Sequence, residues 1–568
     1  MIALVTATAA GRALADRLAA AWPGETTRRG GPVGDQIRDA WPRAEALVCF
    51  LAAGATIRLV APLLGDKHTD PGVVCVDEAG RYAVALLGGH GGGANELAAR
   101  VAAVLGAQPV VTTATDASGV TPLDTYGRDL GFRLVDSSPV ARVTTEVLNG
   151  APLRVGSDQT WPLPALASSD GSPGRPVSLA VSDRVDADGD LVYRPPSLVV
   201  GVGASRNAPA DEIDELIAKS LAEAGVVAES VRCIATVDLK ADEPGIVEVA
   251  GRHGWPVLTY PAERLKQVDV PNPSDVVNAA VGTPSVAEAA ALTAAREAGR
   301  AADLIAPKRA SAMATVAVAR LTPRGRLTVV GLGPGAEDLR TPRATAVLKR
   351  AGVVVGLDQY VDQVRHLLTP GTRIVASGLG AEEERARTAV ELATAGHAVA
   401  LIGSGDAGVY AMASPALQVA GEDVDVEAVP GVTAALAAAA LLGAPLGHDH
   451  AYLSLSDLHT PWPVITERLR ACAAADLVVC LYNPRSRKRQ TQFDEALAIL
   501  REHRPDTTPV GLVRQASRAD QRVTVTTLAD LAEDPARVDM FTVVLVGSTR
   551  TEVRAGRMVT PREYRWLP

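Results

Sequence analysis

The sequence predicts a multi-domain α/β protein, and three observations carry that expectation. Short apolar runs alternate with longer Ala/Leu-rich stretches of helical periodicity along the whole chain. The clearest apolar runs empty into loops of Gly, Pro and small polar residues, as strands of open α/β sheets do at their C-terminal ends. A chain of 568 residues also exceeds what one core organises, so roughly three or four domains are expected.

Composition narrows the class. Hydrophobic residues make up 47% and charged residues 21%, ordinary for well-cored protein, while aromatics at 3% leave the cores to Ala, Val and Leu. No apolar run reaches membrane-spanning length. Met1 to Val5 reads as a first strand without the basic start of a leader, so a cytoplasmic protein with no membrane partner is expected. A net charge of −9 gives no footing for nucleic acid. Cys49, Cys75, Cys233, Cys472 and Cys480 are scattered without a C-x-x-C pair, which favours a reducing compartment and argues against structural zinc.

Strands are expected at 46–51, 82–87, 198–202, 327–332, 398–403, 477–482 and 540–546. Two stretches break the alternation. Residues 150–196, rich in Pro, Ser, Asp and Gly, read as a bridge between domains, and 299–326 reads as a linker before a fresh strand. The expected division is 1–140, a variable middle 141–196, 197–300, a linker 301–325, and 326–568 with a further division near 440.

In the C-terminal half the strand at 327–332 runs into Gly331-Leu332-Gly333-Pro334-Gly335, then Glu337-Asp338 and a helix. Glycines at such a turn let a ligand approach the backbone, and the helix start supplies N–H donors. Gly331, Gly333 and Ala336 also fit a dinucleotide pattern, with Asp358 closing the next apolar run. A nicotinamide site, or a tight turn with no ligand, therefore stays open on these residues alone. Four further loops follow strand candidates: Ser404-Gly405-Asp406-Ala407-Gly408, Pro430-Gly431-Val432-Thr433-Ala434, Tyr482-Asn483-Pro484-Arg485 and Val513-Arg514-Gln515-Ala516. Together they predict a ligand spread over several strand ends.

With these motifs the half resembles the tetrapyrrole (corrin/porphyrin) methylase family, and within it the precorrin-3B C(17)-methyltransferases. The runs 453–458, 460–462, 482–486 and 558–562 carry the finer match. The resemblance implies two α/β subdomains, S-adenosylmethionine as cofactor, a corrin-precursor macrocycle as substrate and a homodimer through this half. It carries cofactor contacts to Pro334, to Ser404, Gly405 and Asp406, to Thr433 and Ala434, and to Tyr482 and Ala516. It departs at Ala407, where the family has Pro, and at Gln515 and Ser517, where it has Asn and Gly; these changes are expected to adjust loop rigidity. The implied reaction is methylation of ring carbon C-17 with contraction of the macrocycle. Asp338, Asp457 and His459 are the candidates for moving protons, although His459 reads equally as a solvent-facing loop residue. Arg485, with Arg487, Lys488 and Arg489, is a candidate receiver of the macrocycle's carboxylates, a solvated helix start being the other reading. His448-Asp449-His450 lacks a third ligand, and no metal is expected.

In the N-terminal half the strand at 82–87 runs into Gly88-Gly89-His90-Gly91-Gly92-Gly93-Ala94-Asn95 and a helix with Leu97, Val101, Val104 and Leu105 on one face. The five glycines are expected to leave backbone donors open at the helix entrance, with Asn95 as its cap. Arg58 precedes this loop, near Asp66-Lys67, and the segment 111–116 sets hydroxyls and Asp116 at another strand end. With 202–206, 237–243 and 273–277, these segments resemble the cobalt-precorrin-5A hydrolases over about residues 1–300. The resemblance implies opening of a lactone with release of acetaldehyde. Gly203-Ala204-Ser205-Arg206 lacks a cysteine common in that family, which is then structural there. Lactone hydrolysis needs an activated water. His90 is the candidate base, Asp116 its orienting partner, and Arg58, Gly91, Asn95 and Lys240 the substrate-binding candidates, with Asp242 and Glu243 beside Lys240. Two readings stand: a bifunctional enzyme of corrin construction, or a methyltransferase with a non-catalytic binding or channelling module. The methyltransferase likeness leans to a metal-free macrocycle and the hydrolase likeness to a cobalt-bearing one.

Overall fold

Gly72–Val76 and Ala46–Phe50 are buried at every residue, as parallel strands are when helices cover both faces of their sheet. They belong to a six-stranded sheet that also contains Ile2–Thr6 and Tyr82–Leu87. The computed structural model describes residues 1–66, 69–167, 175–486 and 489–562. It divides into two units, Met1–Pro323 with Thr369–Gly371, and Arg324–Leu368 with Thr372–Pro568.

In the first unit Tyr82–Leu87 runs antiparallel to Gly72–Val76 and ends at the glycine-rich loop. The following helix, Ala94–Leu105, buries Leu97, Val101 and Leu105 in one core, with Val104 at its margin. Its cap is Gly93, at φ 73°, and not Asn95, which lies inside the first turn. The stretch 150–196 is not a simple bridge. Leu153–Ser157, Val177–Val181 and Leu191–Arg194 join Arg133–Leu134 in a four-stranded sheet. Much of the chain's sparse aromatic content packs here, Tyr126 edge-on to Tyr193 and Phe132 edge-on to Trp161.

The linker expected at 301–325 is also corrected. Ala301–Ala310 and Ala314–Thr322 form a hairpin that completes a sheet with Leu198–Ala204, Val231–Val237 and Val257–Tyr260. The outer strand lies at the sheet edge, where Pro307 and the charged residues around it are tolerated; the inner strand buries Val316, Val318 and Leu321. Arg320 on that inner strand makes a two-pronged ion pair with Asp183, Nε to Oδ2 at 2.8 Å and Nη2 to Oδ1 at 2.6 Å. Asp183 is buried and also accepts from Ser197 Oγ at 2.6 Å. Asp183→Asn removes the counter-charge of a largely buried guanidinium, and is expected to lower the unfolding free energy by about 3 kcal/mol in urea denaturation.

The second unit holds a parallel five-stranded sheet in the order Arg373–Ser377, Val353–Leu357, Ala398–Gly403, Gly325–Gly331, Val424–Val429. Helix Ala434–Leu442 leads to a mixed sheet of His450–Ser454, Val478–Tyr482, Thr542–Val546, Pro509–Arg514 and Arg522–Thr527. Among the described residues no helix is long and apolar enough to cross a membrane.

Candidate functional site

Three strand ends of the parallel sheet meet through glycine. Gly333 and Gly405 exchange backbone hydrogen bonds of 3.0 and 2.8 Å. A side-chain carbon on Gly331 would lie 2.7 Å from the Gly405 carbonyl oxygen and 2.8 Å from the Gly431 nitrogen, so these crossings admit no larger residue. Asp406 fastens the junction by accepting the N–H groups of Gly408 at 2.8 Å and Gly431 at 3.0 Å. Beside it, Gly403 ends a central strand, is itself buried, and yet a side-chain carbon there meets no atom within 4 Å. Unfilled space at a buried strand end, next to Ser404, is where open sheets receive ligands.

A second polar group lies in the same unit. Thr433 caps helix Ala434–Leu442, and its Oγ1 lies 2.6 Å from Tyr482 Oη, which also accepts the N–H of Ala435 at 2.9 Å. The Tyr482 ring has Tyr410 and Tyr452 as neighbours, at 5.4 and 6.0 Å between centroids. Burial raises the phenol of each above its ordinary range, so all three stay neutral hydroxyls at physiological pH. Ala516 is buried in a neighbouring loop, and Pro334 in the first one.

In the first unit His90 meets a hydrogen-bonded set. Its Nε2 lies 2.6 Å from Thr115 Oγ1 and 3.2 Å from Asp116 Oδ2. Asp116 Oδ2 also receives Asn95 Nδ2 at 2.9 Å and the Thr113 hydroxyl. A carboxylate at Nε2 selects the tautomer with its proton there, which leaves the lone pair on Nδ1. The expectation of open donors at the helix entrance is corrected in part. The N–H groups of Gly93, Ala94 and Asn95 turn back onto the carbonyls of His90, Gly88 and Gly89, because the loop closes on itself. Gly88 and Gly92 pack backbone to backbone against Gly72, a structural use of glycine. Gly91 instead borders a cavity of about 210 Å³, lined also by Asp124, Tyr126, Arg128, Phe132 and Tyr193. Arg58 is exposed and folds onto Gly54 of its own helix. Lys240 is held by Glu243 at 3.1 Å, while Asp242 is exposed. The structure thus unites His90, Asn95 and Asp116, and gives Arg58 and Lys240 partners of their own. Thr115, overlooked as a partner of His90, was signalled only by the hydroxyls clustered before Asp116.

The family model of the tetrapyrrole (corrin/porphyrin) methylases matches residues 326–532. Those for the N-terminal region and the C-terminus of cobalamin synthesis protein G match 35–116 and 198–319. A probable cobalt-factor III C(17)-methyltransferase of Salmonella typhimurium is 46% identical over 241 residues, 42% of this chain and 99% of that protein. A cobalt-precorrin-5A hydrolase of Priestia megaterium is 34% identical over 269 residues, 44% of this chain and 72% of that protein. The chain belongs to both families, a cobalamin synthesis G protein fused to a tetrapyrrole methylase. The crystal structure of the methyltransferase CobJ is 40% identical, covering 42% of this chain and 100% of that one at a TM-score of 0.40.

In the loops of the methylase half, several residues adopt left-handed backbone: Tyr410 at φ 51°, Asn483 at 51°, Gln515 at 47° and Ser517 at 59°. Neither Gln515 nor Ser517 is a Gly or Asn, the residues that tolerate this region best. Both therefore carry backbone strain. Gln515→Asn is expected to raise the unfolding free energy by about 0.5–1 kcal/mol, read by denaturant titration.

In the basic cluster of the methylase half, the described arginines have partners within the protein. The Arg485 side chain is 16% exposed and pairs with Asp494 at 3.1 Å. Arg489 is buried, donates to the Asn483 carbonyl at 2.6 Å, and is pulled below its usual range by burial. Arg487 and Lys488 lie outside the described residues, as does Lys67. Asp338 is exposed in the turn Glu337–Leu339, and His459 is exposed. Asp457 is exposed and accepts from Gln492 at 3.0 Å. Among the described residues no three His, Cys, Asp or Glu side chains are placed to hold a metal ion.

Proposed function

We propose that the chain performs two steps of cobalamin construction: C-17 methylation with ring contraction of a corrin precursor, and lactone opening with acetaldehyde release. The observation that carries the first is the unfilled space at Gly403, beside the glycine junction and Ser404. The open position at Gly403 and the neutral donors of these loops support S-adenosylmethionine as the cofactor, which Pro334, Ser404, Gly405, Asp406, Thr433, Ala434, Tyr482 and Ala516 would hold. When bound, the cofactor supplies a methyl group already activated by its sulfonium. The protein's own work is then to position and to exclude water, and the glycine junction gives the rigidity that alignment needs. Asp338, Asp457 and His459 remain the proton-moving candidates.

In the other half, His90 takes a proton from water at Nδ1 while Asp116 and Thr115 hold Nε2, and Asn95 and Thr113 fix the carboxylate. The names of both relatives described above contain cobalt, which favours a cobalt-bearing macrocycle. A cytoplasmic homodimer joined through the methylase half completes the reading, and light scattering tests its mass.

Isothermal titration of S-adenosylmethionine and S-adenosylhomocysteine into the full chain tests the cofactor. Micromolar binding, weakened at least about tenfold in Asp406→Ala, is expected, since that change releases the Gly431 and Gly408 N–H groups. Binding of neither ligand, with tight binding of NADPH instead, would return the Gly331 loop to a dinucleotide role.

A further inference from the structure

A partly buried guanidinium is normally matched by a carboxylate, because removing its charge from water is expensive. Arg518, in the loop after strand Pro509–Arg514, is not matched in this way. Its Nε donates to the Pro334 carbonyl at 2.9 Å and its Nη2 to Ser404 Oγ at 3.1 Å. Among the described residues it forms no ion pair, whereas Arg514 nearby pairs with Asp539 at 2.7 Å. Its stem crosses Gly335, where a side-chain carbon would stand 2.5 Å from Arg518 Cγ, so only glycine leaves the arm its path. Ser517, strained at φ 59°, ties the same two loops together by accepting the Ala336 N–H at 3.3 Å. A strained loop thus delivers a cation from the mixed-sheet subdomain to two of the residues assigned to the cofactor.

We propose that Arg518 is the carboxylate-recognition residue of the methylase site, its Nη1 edge taking up a carboxylate of a bound molecule. The sulfonium of the cofactor would repel a second cation, so a guanidinium at this site answers an anionic group instead. Two sources carry that chemistry: the amino-acid end of the cofactor, and the carboxylate arms of the macrocycle. The geometry suits either, since Nε and Nη2 are engaged and the fork keeps further N–H groups. The assignment rests on the reading of the Gly403 space as the cofactor site.

The test is titration calorimetry on the full chain, wild type beside Arg518→Gln and Arg518→Lys, with three probes at low salt. S-adenosylhomocysteine carries the amino-acid carboxylate, 5′-methylthioadenosine lacks it, and uroporphyrin III offers a carboxylate-rich macrocycle. Arg518→Gln is expected to weaken a carboxylate probe by about 10- to 100-fold, with methylthioadenosine unchanged and Arg518→Lys intermediate. Loss confined to S-adenosylhomocysteine assigns the cofactor; loss confined to uroporphyrin assigns the macrocycle. Equal weakening of S-adenosylhomocysteine and methylthioadenosine, or no change with any probe, overturns the proposal. If Arg518→Gln does not fold, Arg518→Lys carries the same comparison. A wild type that binds no probe refutes the cofactor site itself, and this shows before any variant is measured.

Discussion

Gly403→Val is expected to leave the chain folded while weakening S-adenosylhomocysteine at least about 100-fold, close to 2.7 kcal/mol. The residue ends a buried strand, and a first side-chain carbon there meets no protein atom beyond its chain neighbours within 4 Å. Its first side-chain carbon therefore enters open space, on the proposed cofactor side, rather than displacing protein. Gly431→Ala makes the opposite case. A methyl group there would press into the Gly405 carbonyl and stand 2.7 Å from that of Gly331, so the strand ends must part. That variant is expected to lose about 1–3 kcal/mol of stability along with affinity. Thermal unfolding and calorimetry on both variants separate a blocked site from a broken one. Undiminished affinity in a folded Gly403→Val would remove this space from the cofactor site.

His90→Ala is expected to reduce acetaldehyde release by about 10²- to 10⁴-fold, the usual contribution of a positioned general base, without altering methyl transfer. The imidazole is the group that Asn95, Thr113, Thr115 and Asp116 converge to orient. Asp116→Asn is expected to lose less, since a neutral amide still meets Nε2 but no longer fixes which nitrogen holds the proton. Acetaldehyde is followed by coupled reduction, and methyl incorporation is followed in the same sample. Undiminished release from His90→Ala would leave the N-terminal half as a binding or channelling module.

Where the sequence was legible, the physics was local. Tyr82–Leu87 and Ala398–Gly403 were bounded to the residue because apolar runs end there at glycine. The hairpin at 301–322 was missed because an edge strand needs only one buried neighbour, and its Pro, Lys and Arg mimic a linker. The glycine loops were legible from residue type alone. The setting of Arg518 was not, since Pro334 and Ser404 are brought to it by tertiary folding. The partners of Arg485 and Arg489 were hidden for a related reason: composition marks a cation, but only the fold decides which acceptor it reaches.

The hairpin that closes the first unit also decides where the gene can be cut. An N-terminal fragment ending at residue 300 would shed two of the five strands of its last sheet, and with them Arg320, stranding Asp183. The uncovered Leu198–Ala204 would then present a long apolar edge, an invitation to pair with a second copy during expression. A fragment ending after Thr322 keeps that edge covered, so solubility in a truncation series is expected to change sharply between these two end points.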